Sequence, residues 1–126
     1  LGMGYVGLPL AVVFAEAGFD VIGVDPIQEK MDLLNQGESY ILDVPTAQLE
    51  KLVKAGKITG STDYAVLKDV DALLIITEWH HFRRPDFERM KANMKTPIIF
   101  DGRNQYEPIK MKERGFTYYC IGRPII

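Results

Sequence analysis

The chain has 126 residues, 47% of them hydrophobic and 25% charged, with a formal net charge of −2. That is enough chain for one compact soluble domain, and its near-neutral balance excludes an electrostatic case for binding nucleic acid or an anionic membrane. A single cysteine, Cys120, excludes an intrachain disulfide, and no apolar run approaches the ~20 residues that span a bilayer, so a reduced, cytoplasmic setting is expected.

There is no signal-peptide pattern, and the chain opens at Leu1 inside a glycine motif, so a strand preceding Gly2 is expected to be cut short. Residues 5–17 then read as a helix with Val6, Leu10, Val13, Phe14 and Ala17 inward, and Gly18 sits where a helix end favours positive φ. Val21 to Val24 reads as a buried strand. Pro26 presets a second helix with Ile27, Met31 and Leu34 on one face and Gly37 at its end. A third helix is expected at 46–55, with Leu49, Leu52 and Val53 on one side and Gly56 as its stop. A short strand follows from Lys57 to Thr62, and Asp63 caps a brief helix to about Lys68.

The run Ala72-Leu73-Leu74-Ile75-Ile76 is apolar without alternation, as in a central parallel strand covered on both faces. Pro85 opens a helix with Phe87, Met90 and Met94 inward. A strand from Pro97 to Phe100 ends at Asp101-Gly102-Arg103-Asn104, Pro108 to Arg114 is helical, and Phe116 to Ile121 is the last strand. With the shortened first strand this makes about six strands in an α/β, doubly wound, Rossmann-like parallel sheet, taken as one domain over 1–126. In such a sheet Asp25, Asp63, Thr77-Glu78, Asp101-Gly102-Arg103 and Gly122-Arg123 share the carboxyl edge where ligands bind.

The sharpest motif is Gly2-Met3-Gly4-Tyr5-Val6-Gly7. Gly2 permits a tight turn, Gly4 lets backbone approach a pyrophosphate, and Gly7 allows close helix packing, while the free N–H groups of the helix start face the phosphates. Asp25, 18 residues past Gly7, can accept hydrogen bonds from the adenosine ribose and repel a 2′-phosphate, which favours NAD over NADP. The alternative reading is a glycine-rich turn followed by a helix-capping aspartate.

Gly2-Met3-Gly4-Tyr5-Val6-Gly7-Leu8-Pro9-Leu10-Ala11 followed by Gly23-Val24-Asp25 resembles the amino-terminal, NAD-binding domain of the UDP-glucose/GDP-mannose 6-dehydrogenases, and Leu33-Leu34-Asn35-Gln36-Gly37 continues the likeness through residue 71. Residues 72–126 resemble the same family's carboxy-terminal, UDP-binding domain through Thr77-Glu78-Trp79, Phe82-Arg83, Asp86-Phe87, Phe100-Asp101-Gly102-Arg103-Asn104 and Gly115-Phe116-Thr117-Tyr118-Tyr119. The family's middle, with its nucleophilic cysteine, is missing between them.

The resemblance implies NAD as cofactor, with Gly2, Gly4, Tyr5, Val6, Gly7, Asp25, Lys30 and Thr77 on the cofactor side. It places Lys30 near the adenosine ribose and gives Arg103 to the UDP-sugar, with structural ion pairing as the competing role for that arginine. Partner classes are therefore NAD, a UDP-sugar and a further copy of the chain. The family oxidises a sugar alcohol to an acid in two NAD-dependent steps through a cysteine thiolate.

Cys120 lies in a strand whose neighbours suggest a buried, inert thiol, so no catalytic residue is assigned. His80 and His81 lack further ligands at metal spacing, Trp79 and Phe82 are expected to cover the sheet edge, and Lys91, Lys95, Lys110 and Lys112 form a solvated face. Three functions stay open: a nucleotide-sugar 6-dehydrogenase by descent, a non-catalytic dinucleotide-binding module, and a structural remnant.

Overall fold

A computed structural model describes residues 1–77 and 85–125. The alternation of helix and strand is as expected, and every strand pair is parallel. Two compact units are formed, Leu1–Val66 and Leu67–Ile126.

In the first unit α1 (Gly7–Glu16) leads into β1 (Val21–Val24), α2 (Gln28–Asn35), α3 (Thr46–Lys54) and β2 (Ile58–Ser61), and a 3-10 turn at Tyr64–Leu67 falls at the unit boundary. β1 pairs with β2 from Val21↔Ile58 to Val24↔Ser61. On the other side of β1 the Gly2 N–H donates to the Val24 carbonyl at 2.8 Å, as the end of a neighbouring parallel strand would. The core collects Met3, Leu8, Val12, Met31, Leu34, Ile41, Leu49 and Ile58.

The glycine stops act as expected. After α2, Gly37 has φ 79°, its N–H bonds the Leu34 carbonyl at 2.9 Å and the Glu38 N–H bonds that of Leu33 at 2.9 Å, which closes the helix with the double bond of a left-handed cap. The same pair of bonds recurs where α1 ends at Gly18 and α3 at Gly56. Asp63 caps the 3-10 turn as expected, its Oδ1 accepting from the Ala65 N–H at 2.9 Å. At the outer edge of β2 the Asn35 amide gives and takes 2.8 Å bonds with the Gly60 peptide, so a side chain stands where another strand would pair.

The second unit holds β3 (Leu73–Ile75), α4 (Phe87–Asn93), β4 (Ile98–Asp101), α5 (Pro108–Glu113) and β5 (Thr117–Cys120) in the order β3-β4-β5. Leu73, Ile99 and Tyr118 align across one face of this sheet and are buried with Met94, Met111 and Phe116. On the opposite face Leu74, Phe100 and Tyr119 are in register, with the Phe100 and Tyr119 rings stacked at 4.9 Å.

Several expectations are corrected. The described residues form five strands in two sheets, β1-β2 and β3-β4-β5, not six in one. Within the described sheet β4 lies between β3 and β5. The face of α1 is rotated from the expected one: Leu8, Ala11, Val12 and Ala15 are buried, whereas Val6 and Val13 are 66% and 64% exposed and Ala17 is exposed. The helix is apolar almost all round, so periodicity gives its type without fixing its phase, and the small residues go inward because they allow close approach.

Ile27 is exposed because it is the N-cap of α2, ahead of the turn that packs. Pro26 and Pro85 precede the capping residues Ile27 and Asp86, so each sets the approach to its helix and not its first turn. Phe87 and Met90 are only half-buried, and Met94 alone of that trio is buried.

Candidate functional site

The glycine motif forms a turn between residues 1–3, which the Gly2 N–H ties to β1, and α1. Gly2 has φ 94°, a conformation that favours glycine. A Cβ on Gly7 would lie 1.8 Å from the Gly2 carbonyl oxygen, so helix and turn meet only because that side chain is absent. A Cβ on Gly4 would meet no atom within 4 Å. Gly7 is therefore fixed by packing within the protein, whereas Gly4 borders open space.

α1 starts from Val6 with no side-chain cap and no acidic residue in its first turn, which leaves the positive end of its dipole available to an anion. Tyr5 and Val6 are exposed beside that end. Turn and uncapped helix together fit a phosphate group held by backbone.

Asp25 stands at the end of β1 as expected, but it is only 1% exposed. Its Oδ2 accepts the Met3 N–H at 3.0 Å and its Oδ1 accepts the Ile27 N–H at 3.0 Å. The carboxylate thus first serves to hold the glycine turn against the start of α2. Two hydrogen bonds use about half of a carboxylate's acceptor capacity.

Met3 was not singled out in the sequence, yet it anchors the motif. Besides its N–H bond, its carbonyl accepts from the Tyr40 hydroxyl at 2.6 Å, and a Cβ on Gly23 would come 2.6 Å from its Cε. Tyr40 was missed too, because it lies in an irregular segment with no motif around it. The Lys30 ammonium lies 5.9 Å from the centre of the Tyr40 ring. Burial, and then the Asp25 charge, pushes the Tyr40 phenol well above the ordinary tyrosine value, and the same two causes raise Tyr64. Gly2, Gly4, Tyr5, Val6, Gly7, Asp25 and Lys30 all belong to the first unit, with Tyr40 and Tyr64 as additional neighbours of its carboxylate.

The two other assigned residues belong to the second unit. The Thr77 carbonyl accepts from the Gln105 side-chain amide. Arg103 is exposed, and its N–H donates to Asp101 Oδ1 at 2.9 Å. Asp101 itself, 2% exposed, also accepts from Gln105 N–H at 2.7 Å, Tyr106 N–H at 3.2 Å and the Tyr118 hydroxyl at 2.6 Å. Desolvation, reinforced by that hydrogen bond to Asp101, pushes the Tyr118 phenol far up; burial followed by the Asp101 charge does the same to Tyr106.

Asn104, at φ 52°, exchanges bonds of 2.8 and 2.9 Å with the Ile121 peptide, and Arg123 donates to the Tyr106 carbonyl at 3.1 Å. Cys120 is half-buried, not buried as expected, since its strand ends there. Lys95, Lys110 and Lys112 are exposed as expected, while Lys91 is half-buried and donates to the Arg114 carbonyl at 3.1 Å. Glu78, Trp79, His80, His81, Phe82 and Arg83 lie outside the described residues. Among the described residues no helix is long and apolar enough to cross a membrane.

Comparison with known proteins places the sequence and fold among nucleotide-sugar dehydrogenases. A UDP-glucose 6-dehydrogenase of Pseudomonas aeruginosa is 43% identical over 79 residues, covering 62% of this chain and 17% of that protein. UDP-glucose 6-dehydrogenase 1 of Arabidopsis thaliana is 41% identical over 84 residues, covering 65% of this chain and 18% of that protein. The chain thus spans less than a fifth of the length of these relatives.

Among solved structures, the UDP-N-acetyl-mannosamine dehydrogenase of S. aureus superposes with a TM-score of 0.65 at 26% identity, over 94% of this chain and 34% of that one. A UDP-D-ManNAc dehydrogenase from Pyrococcus horikoshii gives a TM-score of 0.71 over 94% of this chain and 34% of that one, and at 22% identity it supports the fold alone. Residues 1–93 match the NAD binding domain of the UDP-glucose/GDP-mannose dehydrogenase family. With that match over the turn that Gly2, Gly4 and Gly7 build, the chain belongs to the UDP-glucose/GDP-mannose dehydrogenase family, and the cofactor of the domain it carries is NAD.

Proposed function

We propose that the first unit is the NAD-binding module of a nucleotide-sugar 6-dehydrogenase of the UDP-glucose type, and that it holds the dinucleotide by its ADP half. The single observation that carries this reading is the contrast within the motif: a Cβ is forbidden at Gly7 by the protein's own backbone, but at Gly4 it would project into open space. The pyrophosphate would lie across Gly2, Gly4 and Gly7, with the backbone of Tyr5 and Val6 at the α1 start supplying donors. The ribose would reach the remaining acceptor capacity of Asp25 after a shift of its neighbours, with Lys30 alongside. A 2′-phosphate there meets a carboxylate almost fully out of water, where like-charge repulsion exceeds the ~1 kcal/mol of open solvent, so NAD is preferred to NADP.

When bound, NAD supplies hydride acceptance for oxidation of the sugar alcohol. This chain's residues bind and orient; the only cysteine is Cys120, half-buried at the end of β5, and we assign it no covalent step. Binding without turnover is therefore the behaviour proposed for this polypeptide. In the second unit we assign Arg103 to a UDP phosphate and Thr77 to the cofactor side, on the family likeness of their motifs.

Calorimetric titration with NAD, NADP and UDP tests the whole reading. Gly4→Val should weaken NAD and NADP alike by at least about tenfold, equivalent to ~1.4 kcal/mol, at unchanged thermal stability. Unchanged affinity in that variant, or equal NAD and NADP affinities in the parent, removes the assigned site. Loss of UDP binding in Arg103→Ala with NAD binding intact would support the second assignment, and unchanged UDP binding would end it.

A further inference from the structure

We propose that Tyr40 is a positioning residue of the dinucleotide site, acting through the Met3 carbonyl to aim the Gly4 N–H at the pyrophosphate; this rests on the reading of the first unit as that site. The Tyr40 hydroxyl donates to the Met3 carbonyl at 2.6 Å across a sequence separation of 37. That carbonyl and the Gly4 N–H belong to one peptide unit, which is planar and trans, so its C=O and N–H point in opposite directions. Fixing the carbonyl on Tyr40 therefore turns the Gly4 N–H away from Tyr40.

The preceding peptide is fixed as well, because the Met3 N–H is held by Asp25 Oδ2 at 3.0 Å. With the Met3 side chain seated over Gly23, the residue between the two glycines is restrained at its N–H, its C=O and its thioether. Rotation of the Met3–Gly4 peptide would break the shortest of these restraints. Glycine on either side of Met3 gives the turn its freedom, and Tyr40 removes that freedom before a ligand arrives, which is preorganisation in the ordinary energetic sense. The phenol suits the task because it is a neutral donor at physiological pH, and burial extends that state to higher pH.

Tyr40→Phe deletes one oxygen and separates positioning from mere support. ADP uses the turn's donors and adenosine does not, so the variant should bind ADP about tenfold more weakly while adenosine affinity stays within about twofold. A purely structural role would lower both together. An independent readout needs no substitution: in the parent protein the Tyr40 hydroxyl proton should exchange slowly with solvent, and more slowly with ADP bound.

If the parent binds neither NAD nor ADP, the reading of the site fails and takes this inference with it. If the parent binds ADP and Tyr40→Phe loses ADP and adenosine equally, or neither, the inference alone is overturned. Rapid hydroxyl exchange in the ADP complex overturns it too, whether or not the variant folds.

Discussion

Asp25 and Asp101 occupy equivalent places in the two units, each buried at the carboxyl end of a strand and each accepting the N–H two residues ahead, from Ile27 at 3.0 Å and Arg103 at 2.9 Å. They differ in what else they hold. Asp101 takes three further donors, from Gln105, Tyr106 and Tyr118, all on its Oδ2, so four donors of its own unit share one carboxylate. Among the described residues Asp25 takes one more, from Met3, which uses about half of a carboxylate's capacity. Burial at a strand end therefore does not mark a ligand site by itself. Asp101 knots its own loop, whereas Asp25 keeps acceptor capacity for the ribose contact proposed for it.

Removing each carboxylate gives the largest separation between the two. Asp101→Ala leaves three backbone donors without their acceptor and the buried Tyr118 phenol with the Tyr106 carbonyl alone, and should cost about 3–5 kcal/mol, read as a fall in the urea midpoint. Amide exchange in that variant would also show whether residues 1–126 act as one domain. Loss of protection confined to β3, β4 and β5 means two cooperative units, whereas equal loss in β1 and β2 means one.

Asp25→Asn keeps one carbonyl acceptor for two backbone donors and should cost about 1–3 kcal/mol. It should also narrow the NAD/NADP affinity ratio, since the repelling charge is gone. A variant that loses this stability but keeps the parent's NAD/NADP ratio would place Asp25 alongside Asp101 as purely structural.

The smallest effect is in pH. Tyr40, Tyr106 and Tyr118 have phenol pKa values raised in the fold, so the folded state keeps protons that the unfolded chain loses above about pH 10. Their stabilisation is complete below that pH and declines as pH rises beyond it, by about 1.4 kcal/mol per pH unit for each such group. Tyr118→Phe should remove one group's share of that alkaline slope, and an unchanged slope would mean that Tyr118 ionises freely in the fold.

Much of the first site could be read in advance because glycine carries backbone information in its identity. The structural duties of Gly2 and Gly7 follow from spacing and each has a matching geometric signature, and Gly4 borders the open space that its proposed role needs. The phase of α1 was not legible, because Leu8, Val12, Val13 and Phe14 are equally apolar and only packing decides which turn inward. Nor was the division into two sheets, since short apolar runs state that a strand exists but not which strand it joins.

Tyr40 and Asp101 share a different obscurity. Each owes its role to partners distant in sequence, Met3 for one and Tyr118 for the other, and no local pattern announces such pairs. Asp101 was noticed only as the first residue of an arginine motif, when the aspartate is what organises that loop.

The seat of Met3 over Gly23 has a redox consequence. Its thioether is shielded from peroxide while the glycine turn is in place, because the side chain is buried and pressed on strand backbone. Sulfoxidation therefore has to wait for the turn to open. The added oxygen then makes the side chain polar and bulkier than the slot it left, which hinders reclosure until a reductase restores the thioether. Oxidation at this one sulfur would thus record how often the cofactor turn opens, and a bound dinucleotide that holds the turn shut would slow it.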